Sequence, residues 1–329
     1  MKALITGGAG FLGLHLARFL LEKGWRVSLV DDFYRGVRDK DLEEVLRKAK
    51  ASFHKIDLLE TNGLEDFDMD YDLIFHFAAV VGVANVIEHP YEVLTRNYGL
   101  LEDVIRFARR QKSLQRLIFA SSSEVYAGSL RYGGLKVPTP ESSVLALTGL
   151  NEPRTSYMLS KIYGEAMCYH SGLIFTIVRP HNIFGPRMGL SHVIPEMIKK
   201  IYFAKEGEII EVASPNHTRT FCYVDDAIEL MYRLSTKDGG KNGTFNIGNN
   251  SPEIKIIDLV RMIVEVVGKK VKICPGRETP GSPERRCPEM RKTIAITSYK
   301  PKISLKRGIE LSYRWYKEHI FASGQVSAK

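Results

Sequence analysis

The sequence predicts an α/β fold with a doubly wound parallel β-sheet and a smaller C-terminal α/β lobe. Short apolar segments alternate with amphipathic segments of helical length, and a glycine-rich turn links the first strand to the first helix. After about residue 180 the elements become shorter and richer in Pro, Gly and Asn. We therefore divide the 329 residues into a first domain, 1–180, and a second lobe, 181–329. The division allows the chain to pass between the two more than once.

The first strand, residues 1–5, runs directly into the glycine-rich turn that opens a helix. Glycine is required there because a Cβ would block the sharp bend, the packing of helix on strand and the approach of a pyrophosphate to backbone N–H groups. The phosphates would lie at the positive end of the helix. The turn predicts a Rossmann-type domain whose bound dinucleotide contacts Gly7, Gly10, Phe11, Leu12 and Gly13.

The second strand, near residues 25–31, ends in the acidic pair Asp31 and Asp32. An acidic side chain about 20 residues after such glycines accepts hydrogen bonds from an adenosine ribose. The same carboxylate repels a 2′-phosphate, so NAD is favoured over NADP, although Arg35 argues mildly against this choice.

Apolar runs predict the other strands near residues 51–56, 72–77, 115–120 and 173–178. Helices are predicted over 100–111, where apolar residues form one stripe, and over 156–170. Residues 127–155 and 275–290 are predicted as long loops, and residues 322–329 as a frayed tail.

Candidate catalytic side chains follow the fifth strand and open the later helix. Ser121, Ser122 and Ser123 end the strand, at the sheet edge where open α/β proteins bind ligands. Tyr157 and Lys161 are four positions apart and share one helix face. A cationic Lys161 and a positive nicotinamide ring would lower the pKa of the Tyr157 phenol, which could then take a proton from a sugar hydroxyl.

Composition excludes several other classes. The net charge of +9 comes from basic residues spread along the chain, so no nucleic-acid partner is predicted. The four cysteines lack the spacing of a metal site or a disulfide scaffold, so we expect no metal and reduced thiols. With no signal segment or membrane-length apolar run, we expect a cytoplasmic protein without membrane contact.

The glycine turn, the strand-end serines and the Tyr-Lys pair, in this order, resemble the extended short-chain dehydrogenase/reductase family. The resemblance is to its NAD-dependent nucleotide-sugar epimerases, dehydratases and decarboxylases, and it runs from Lys2 to about residue 318. It implies NAD as a recycled cofactor, a nucleotide-diphosphate sugar substrate with UDP as the favoured nucleotide, and a homodimer.

The resemblance also implies roles for individual residues. Ser122, Tyr157 and Lys161 match the family's catalytic positions, and Glu124 joins them as a further acid or base. The remaining implied cofactor contacts, beside Tyr157 and Lys161, are Asp57, Leu58, Phe77, Ala78, Ala79, Asn97, Ser121 and Pro180. The implied substrate contacts, beside Ser122, Glu124 and Tyr157, are Ser123, Asn182, Arg187, His192, Val193, Arg219 and Arg286. For His76 a role as a packed histidine is the alternative to a role as a base. For Asn97 a purely structural role also stays open.

The shared first reaction in this group is oxidation at a sugar carbon, usually C4, to a keto sugar. Glu124, and Arg187 as a contact to a sugar carboxylate, favour the dehydratase or decarboxylase branch, which are lyases. A UDP-hexose or UDP-uronate 4-epimerase is the alternative. A catalytically silent NAD-binding relative or a nucleic-acid-binding relative is an alternative of another class.

Overall fold

A computed structural model describes residues 1–60, 63–279 and 282–322 of the chain. The strands are β1 (Lys2–Thr6), β2 (Arg26–Asp31), β3 (Ala51–Lys55), β4 (Leu73–His76), β5 (Arg116–Ala120), β6 (Phe175–Pro180), β7 (Ile183–Phe184), β8 (Ile209–Val212), β9 (Thr218–Arg219), β10 (Cys222–Tyr223), β11 (Gly243–Ile247), β12 (Ile254–Lys255), β13 (Lys272–Pro275) and β14 (Arg285–Arg286).

The α-helices are α1 (Phe11–Glu22), α2 (Lys40–Leu46), α3 (Val83–Glu88), α4 (Pro90–Arg110), α5 (Ala127–Arg131), α6 (Pro153–His170), α7 (Val193–Phe203), α8 (Val224–Thr236), α9 (Ile256–Val267), α10 (Arg291–Thr297) and α11 (Leu305–Tyr316). Short 3₁₀ turns cover Ser123–Tyr126 and Asp238–Gly240, and a π-helical turn covers Lys317–Phe321. No helix in the described part of the chain is long and apolar enough to cross a membrane.

Seven parallel strands form the central sheet, in the order β11-β6-β5-β4-β1-β2-β3. Apolar side chains cover both faces, because successive residues of a strand point to opposite sides. Ala3 and Ile5 of β1 join one core with α1 and α8, whereas Leu4 joins a second core with α4 and α6. The predicted doubly wound α/β fold is confirmed.

The second lobe is built on three small sheets, β7 with β10, β8 with β13, and β9 between β12 and β14. Helices α7, α9 and α11 pack together beside them. The chain also returns to the first domain, because β11 pairs with β6 in the central sheet and α8 packs on α1.

Several element boundaries differ from the prediction. The helix predicted over 100–111 begins earlier, at Pro90, because proline is well suited to a first helical position. Its early turns were not predicted because they expose Tyr91 and do not extend the apolar stripe. The later helix likewise begins at Pro153. The two predicted loops contain α5 and β14, and the predicted tail beyond Ala322 lies outside the described residues.

Candidate active site

The turn between β1 and α1 exposes bare backbone at the carboxyl edge of the sheet. Gly7 has a φ of 70°, and a Cβ there would stand 2.8 Å from the backbone nitrogen of Ala78. A Cβ at Gly13 would collide with the carbonyl oxygen of Gly7. The helix begins at Phe11 with no side-chain cap and no acidic residue in its first turn, so its leading N–H groups are available to an anion.

Asp31 lies at the end of β2, beside this turn. Its Oδ2 accepts a hydrogen bond from the backbone nitrogen of Ala9 at 3.0 Å, and its Oδ1 accepts one from that of Phe33 at 2.8 Å. Burial raises the pKa of Asp31, and the two backbone hydrogen bonds counteract that rise. The carboxylate is therefore held in a fixed orientation next to the glycine turn.

Asp32 and Asp57 share one cation at the neighbouring strand ends. The Arg96 Nη2 atom is 2.9 Å from Asp57 Oδ2 and 3.8 Å from Asp32 Oδ2. The other predicted cofactor residues that end a strand of the central sheet, or lie within three residues after one, are Leu58, Phe77, Ala78, Ala79, Ser121 and Pro180. Because the strands are parallel, all of these positions lie at one edge of the sheet.

Asn97 is a structural link between the segment after β4 and helix α6. Its side-chain oxygen accepts a hydrogen bond from the Val80 nitrogen at 2.7 Å, and its Nδ2 donates to the Val80 carbonyl at 3.0 Å and to the Ser160 hydroxyl at 3.2 Å. His76 is also packed, because it is buried and its Nδ1 lies 2.8 Å from the Thr6 hydroxyl.

Tyr157 meets Ser122 although the two residues come from different elements. Ser122 precedes the 3₁₀ turn after β5, and Tyr157 lies near the start of α6. Their side chains are hydrogen bonded. Lys161, one turn further along α6, donates from Nζ to the carbonyl oxygen of Ala120 at 2.8 Å and lies 5.7 Å from the Tyr157 ring centroid. The structure thus brings the predicted Ser, Tyr and Lys together.

The predicted lowering of the Tyr157 pKa is not produced by the side chains alone. Burial raises the pKa of Tyr157 to about 12, and the Glu124 carboxylate acts in the same direction. Burial also lowers the pKa of Lys161 to about 8. The sequence prediction therefore failed for the protein part of this effect, because desolvation outweighs the hydrogen bond with Ser122 and the Arg35 charge, which both lower the Tyr157 pKa.

Glu124 forms an ion pair that joins the first domain to the second lobe. Its Oε1 lies 2.7 Å from Nη2 of Arg286, which belongs to β14. The Arg286 charge is the main reason that the pKa of Glu124 is lowered, with smaller contributions from Arg154 and Arg219. The carboxylate is therefore ionised. Ser123, between Ser122 and Glu124, is buried and lines a small cavity beside Arg286.

A cavity of about 260 Å³ lies in the second lobe, and Asn182, Val193 and Arg219 are among its lining residues. His192 immediately precedes Val193 at the start of α7. Arg219 donates to the carbonyl oxygens of Thr218, Pro283 and Glu284, which hold its guanidinium in place. Three of the predicted substrate contacts therefore share one cavity.

Arg187 lies against the glycine turn. Its Nε donates to Asp39 at 2.7 Å, its Nη1 to the carbonyl of Ala9 at 3.2 Å, and its Nη2 to that of Val37 at 3.0 Å. This placement differs from the predicted contact to a sugar carboxylate, because all three guanidinium nitrogens are engaged within the first domain and its neighbouring loop.

The family model described as "NAD dependent epimerase/dehydratase family" matches residues 3–248. The chain belongs to this family. The match includes the glycine turn, the Ser-Tyr-Lys group and most of the central sheet. It confirms the predicted family, its enzymatic nature and its use of NAD.

Two curated relatives are decarboxylases. The epimerase/dehydratase chain is 31% identical to a UDP-N-acetyl-alpha-D-glucosaminuronate decarboxylase from Bacillus cytotoxicus, over 96% of this chain and 98% of that protein. It is 28% identical to UDP-glucuronic acid decarboxylase 1 from Xenopus tropicalis, over 97% of this chain and 73% of that protein.

A solved structure with the same fold is an epimerase. UDP-glucuronic acid 4-epimerase from Bacillus cereus, in complex with UDP-glucuronic acid and NAD, superposes with a TM-score of 0.80 at 25% identity. The alignment covers 97% of this chain and 99% of that chain.

One part of the site in this epimerase/dehydratase protein was missed by sequence reasoning. The Ser121 hydroxyl donates to Glu165, and Arg179 donates to both oxygens of Glu165 at 2.8 and 2.6 Å. Arg179 also donates to the Tyr126 hydroxyl, which donates to Asn246 on β11. This buried network ties α6 to three strands under the catalytic group. Its one sequence signal is that Glu165 follows Lys161 by four positions, on the same helix face.

Proposed function

We propose that this protein is an NAD-dependent UDP-uronate decarboxylase that works through a 4-keto sugar. The observation that carries the proposal is the ionised Glu124 beside the Ser122-Tyr157 hydrogen bond, with Arg286 as its counter-charge. The decarboxylase names of the two relatives support the same branch.

The glycine turn and Asp31 fit the NAD that the family uses. The turn offers bare backbone and the free end of α1 to a pyrophosphate, and Asp31 offers a buried carboxylate to a ribose. When bound, NAD would supply the hydride acceptor for C4 of the sugar and the hydride donor for the return step. Its positive nicotinamide ring would also lower the pKa of Tyr157, which the protein side chains alone leave raised.

In this proposal the protein side chains move the protons. Tyr157 takes the proton of the C4 hydroxyl while Ser122 hydrogen bonds to the same oxygen, and Lys161 supports the phenolate electrostatically. A ketone at C4 makes the sugar a β-keto acid, so the C5–C6 bond breaks and CO₂ leaves. The electron pair stays as an enolate, which takes a proton at C5 from Glu124 after this carboxylate has taken up a proton from water. Tyr157 finally returns its proton to O4.

The second lobe would hold the nucleotide. The cavity of about 260 Å³ combines polar groups such as Asn182 and Arg219 with apolar ones such as Val193 and Phe221. That mixture suits a nucleoside diphosphate, with the base against apolar surface and the phosphates toward Arg219.

A UDP-uronate 4-epimerase is the second candidate, favoured by the shared fold with the Bacillus cereus 4-epimerase. It would use the same first step and omit the loss of CO₂. The deciding experiment is to incubate the enzyme with UDP-glucuronic acid and follow products by NMR and released CO₂. A UDP-pentose with one equivalent of CO₂ supports the decarboxylase, a UDP-uronate epimer without CO₂ supports the 4-epimerase, and an unchanged substrate contradicts both.

We further propose a cytoplasmic homodimer formed through α4 and α6. Aromatic side chains on these helices face outward: Tyr91 is 77%, Tyr98 41% and Tyr163 50% exposed, and the rings of Tyr98 and Tyr163 lie 5.5 Å apart. A face of this kind suits a partner surface. The four unpaired cysteines agree with a reducing compartment.

A further inference from the structure

Arg286 stands between two negative partners, one present within the chain and one expected in the substrate. Its Nη2 donates to Glu124 at 2.7 Å, and both side chains retain solvent contact, with exposed fractions of 38% for Glu124 and 24% for Arg286. Glu124 follows β5 of the central sheet, whereas Arg286 belongs to a small sheet of the second lobe. The ion pair therefore connects the proposed catalytic residues with the proposed nucleotide site.

Arg219 adds a second positive charge at the same place. Arg286 and Arg219 are register partners in the β9-β14 pairing, and Arg219 lines the cavity of the second lobe. Burial lowers the pKa of Arg219 to about 10, and repulsion by the Arg286 charge contributes to that decrease. Carbonyl oxygens hold the Arg219 guanidinium, while a carboxylate holds that of Arg286. Two adjacent guanidinium groups of this kind form a site for a diphosphate.

We propose that the diphosphate of the substrate takes Arg286 from Glu124, and that the carboxylate released in this way becomes the group that carries the C5 proton. The inference rests on the proposed function and adds a control step to it. Before substrate binds, Glu124 is locked as an ionised partner of Arg286. After binding, it has lost its strongest counter-charge and faces a new anion, and both changes favour its uptake of a proton from water.

The charged surroundings of Glu124 support this exchange. The groups that face it are Arg286 on β14, Arg219 on β9, and Arg154 and the Tyr157 phenol on α6. Arg286 makes the largest electrostatic contribution of the three arginines. Moving that one guanidinium toward a diphosphate is therefore enough to change how strongly Glu124 holds a proton.

The exchange is tested by UDP binding to the NAD-loaded protein, measured calorimetrically without any reaction. Glu124→Gln removes the competing charge, so we expect UDP to bind roughly fivefold more tightly, the scale of a partly exposed ion pair. Uridine, which has no phosphate, should bind the variant and the wild type equally. Glu253→Gln is the matched control, because Glu253 pairs with Arg285, the neighbour of Arg286, at 2.7 and 2.8 Å. The Glu253→Gln variant should bind UDP with an affinity within twofold of that of the wild type.

A second comparison separates competition for Arg286 from direct repulsion between Glu124 and the phosphates. In an Arg286→Gln background, Glu124→Gln should no longer improve UDP binding, whereas direct repulsion would preserve the gain. Unchanged or weaker UDP binding in Glu124→Gln alone, or an equal gain in Glu253→Gln, overturns the exchange while leaving the proposed function standing. If the wild-type protein binds no UDP, the proposed function fails and the exchange fails with it. Thermal unfolding of each variant checks that it is folded.

Discussion

Tyr157 is a partly buried phenol whose pKa of about 12 disfavours the phenolate in the protein alone. Its proposed role in proton transfer therefore depends on the hydrogen bond with Ser122, on Lys161 nearby and on the charge that the cofactor would bring. Residue spacing singles out Tyr157 as the proposed catalytic side chain, but it does not predict the protonation state of that side chain.

We predict that Tyr157→Phe lowers turnover by roughly 10² to 10⁴-fold, because it removes the one hydroxyl that exchanges the proton. NAD content and UDP affinity should stay close to those of the wild type, as measured by mass spectrometry and calorimetry. Tyr163→Phe, on the same helix but half exposed, is the control and should keep wild-type turnover. A Tyr157→Phe enzyme of normal activity would move the proton transfer to another residue.

Two buried histidines make stability depend on pH. Burial lowers the pKa of His76 and of His181 to about 3, so both are neutral in the folded protein across the physiological range. In the unfolded chain a histidine takes up a proton near pH 6.5. The unfolded state therefore binds more protons between about pH 6.5 and pH 3, and the free energy of unfolding falls as the pH falls through this window.

We predict that His181→Gln weakens the pH dependence of stability. Gln can still donate a hydrogen bond to Asn246, as His181 Nε2 does at 3.0 Å, but it does not titrate. The slope of unfolding free energy against pH below 6.5 should decrease by about 1.4 kcal/mol per pH unit. Urea unfolding at pH 5, 6 and 7 measures it, and equal slopes for variant and wild type would contradict the assignment.

At the scale of one element, the tight packing of the β1-α1 turn requires glycine, which has no side chain. Gly13 is pressed against the carbonyl of Gly7, and Gly7 is pressed against the backbone at Ala78. The turn, the start of α1 and the loop after β4 are thereby packed as one unit. Any Cβ introduced there must displace backbone and not a flexible side chain.

We predict that Gly13→Ala abolishes NAD retention and lowers the free energy of unfolding by a few kcal/mol, the scale of an overpacked core. The NAD released on denaturation and urea unfolding measure the two effects. Gly134→Ala is the matched control, because a Cβ there meets nothing closer than the Ser129 carbonyl oxygen at 3.8 Å. Normal NAD content in Gly13→Ala would show that the cofactor lies elsewhere.

At the scale of the whole molecule, the packed pair α4 and α6 serves two purposes. Its inner side presents Asn97, Tyr157 and Lys161 to the sheet edge, while its outer side exposes aromatic rings. Assembly through that outer side would stiffen the helix that carries the catalytic group. The catalytic geometry and the oligomeric state are then linked by one helix pair.

We predict that Tyr98→Glu together with Tyr163→Glu converts the protein from dimer to monomer, because two charges would be placed in an apolar contact. Sedimentation velocity measures the change in mass. Arg261→Glu, on the exposed side of α9 in the second lobe, is the control and should leave the mass unchanged. A wild-type protein that sediments as a monomer would contradict the proposed assembly.

The sequence by itself determined the α/β class, the six strands β1 to β6, the glycine turn and the family. These features depend on local periodicity and on residues that lie close together in the chain, such as Tyr157 and Lys161 on one helix face. Strand ends were predictable as a set because parallel strands share one carboxyl edge. The start of α4 was missed because its first turns carry no apolar stripe.

Only the tertiary structure decided how distant side chains meet. Arg286 contacts Glu124 across 162 positions, Arg187 turns to the glycine loop, and Glu165 joins Arg179 beneath the site. The pKa values of Tyr157 and Lys161 were likewise set by burial. Such pairings depend on which groups converge when water is excluded, and residue spacing along the chain does not contain that information.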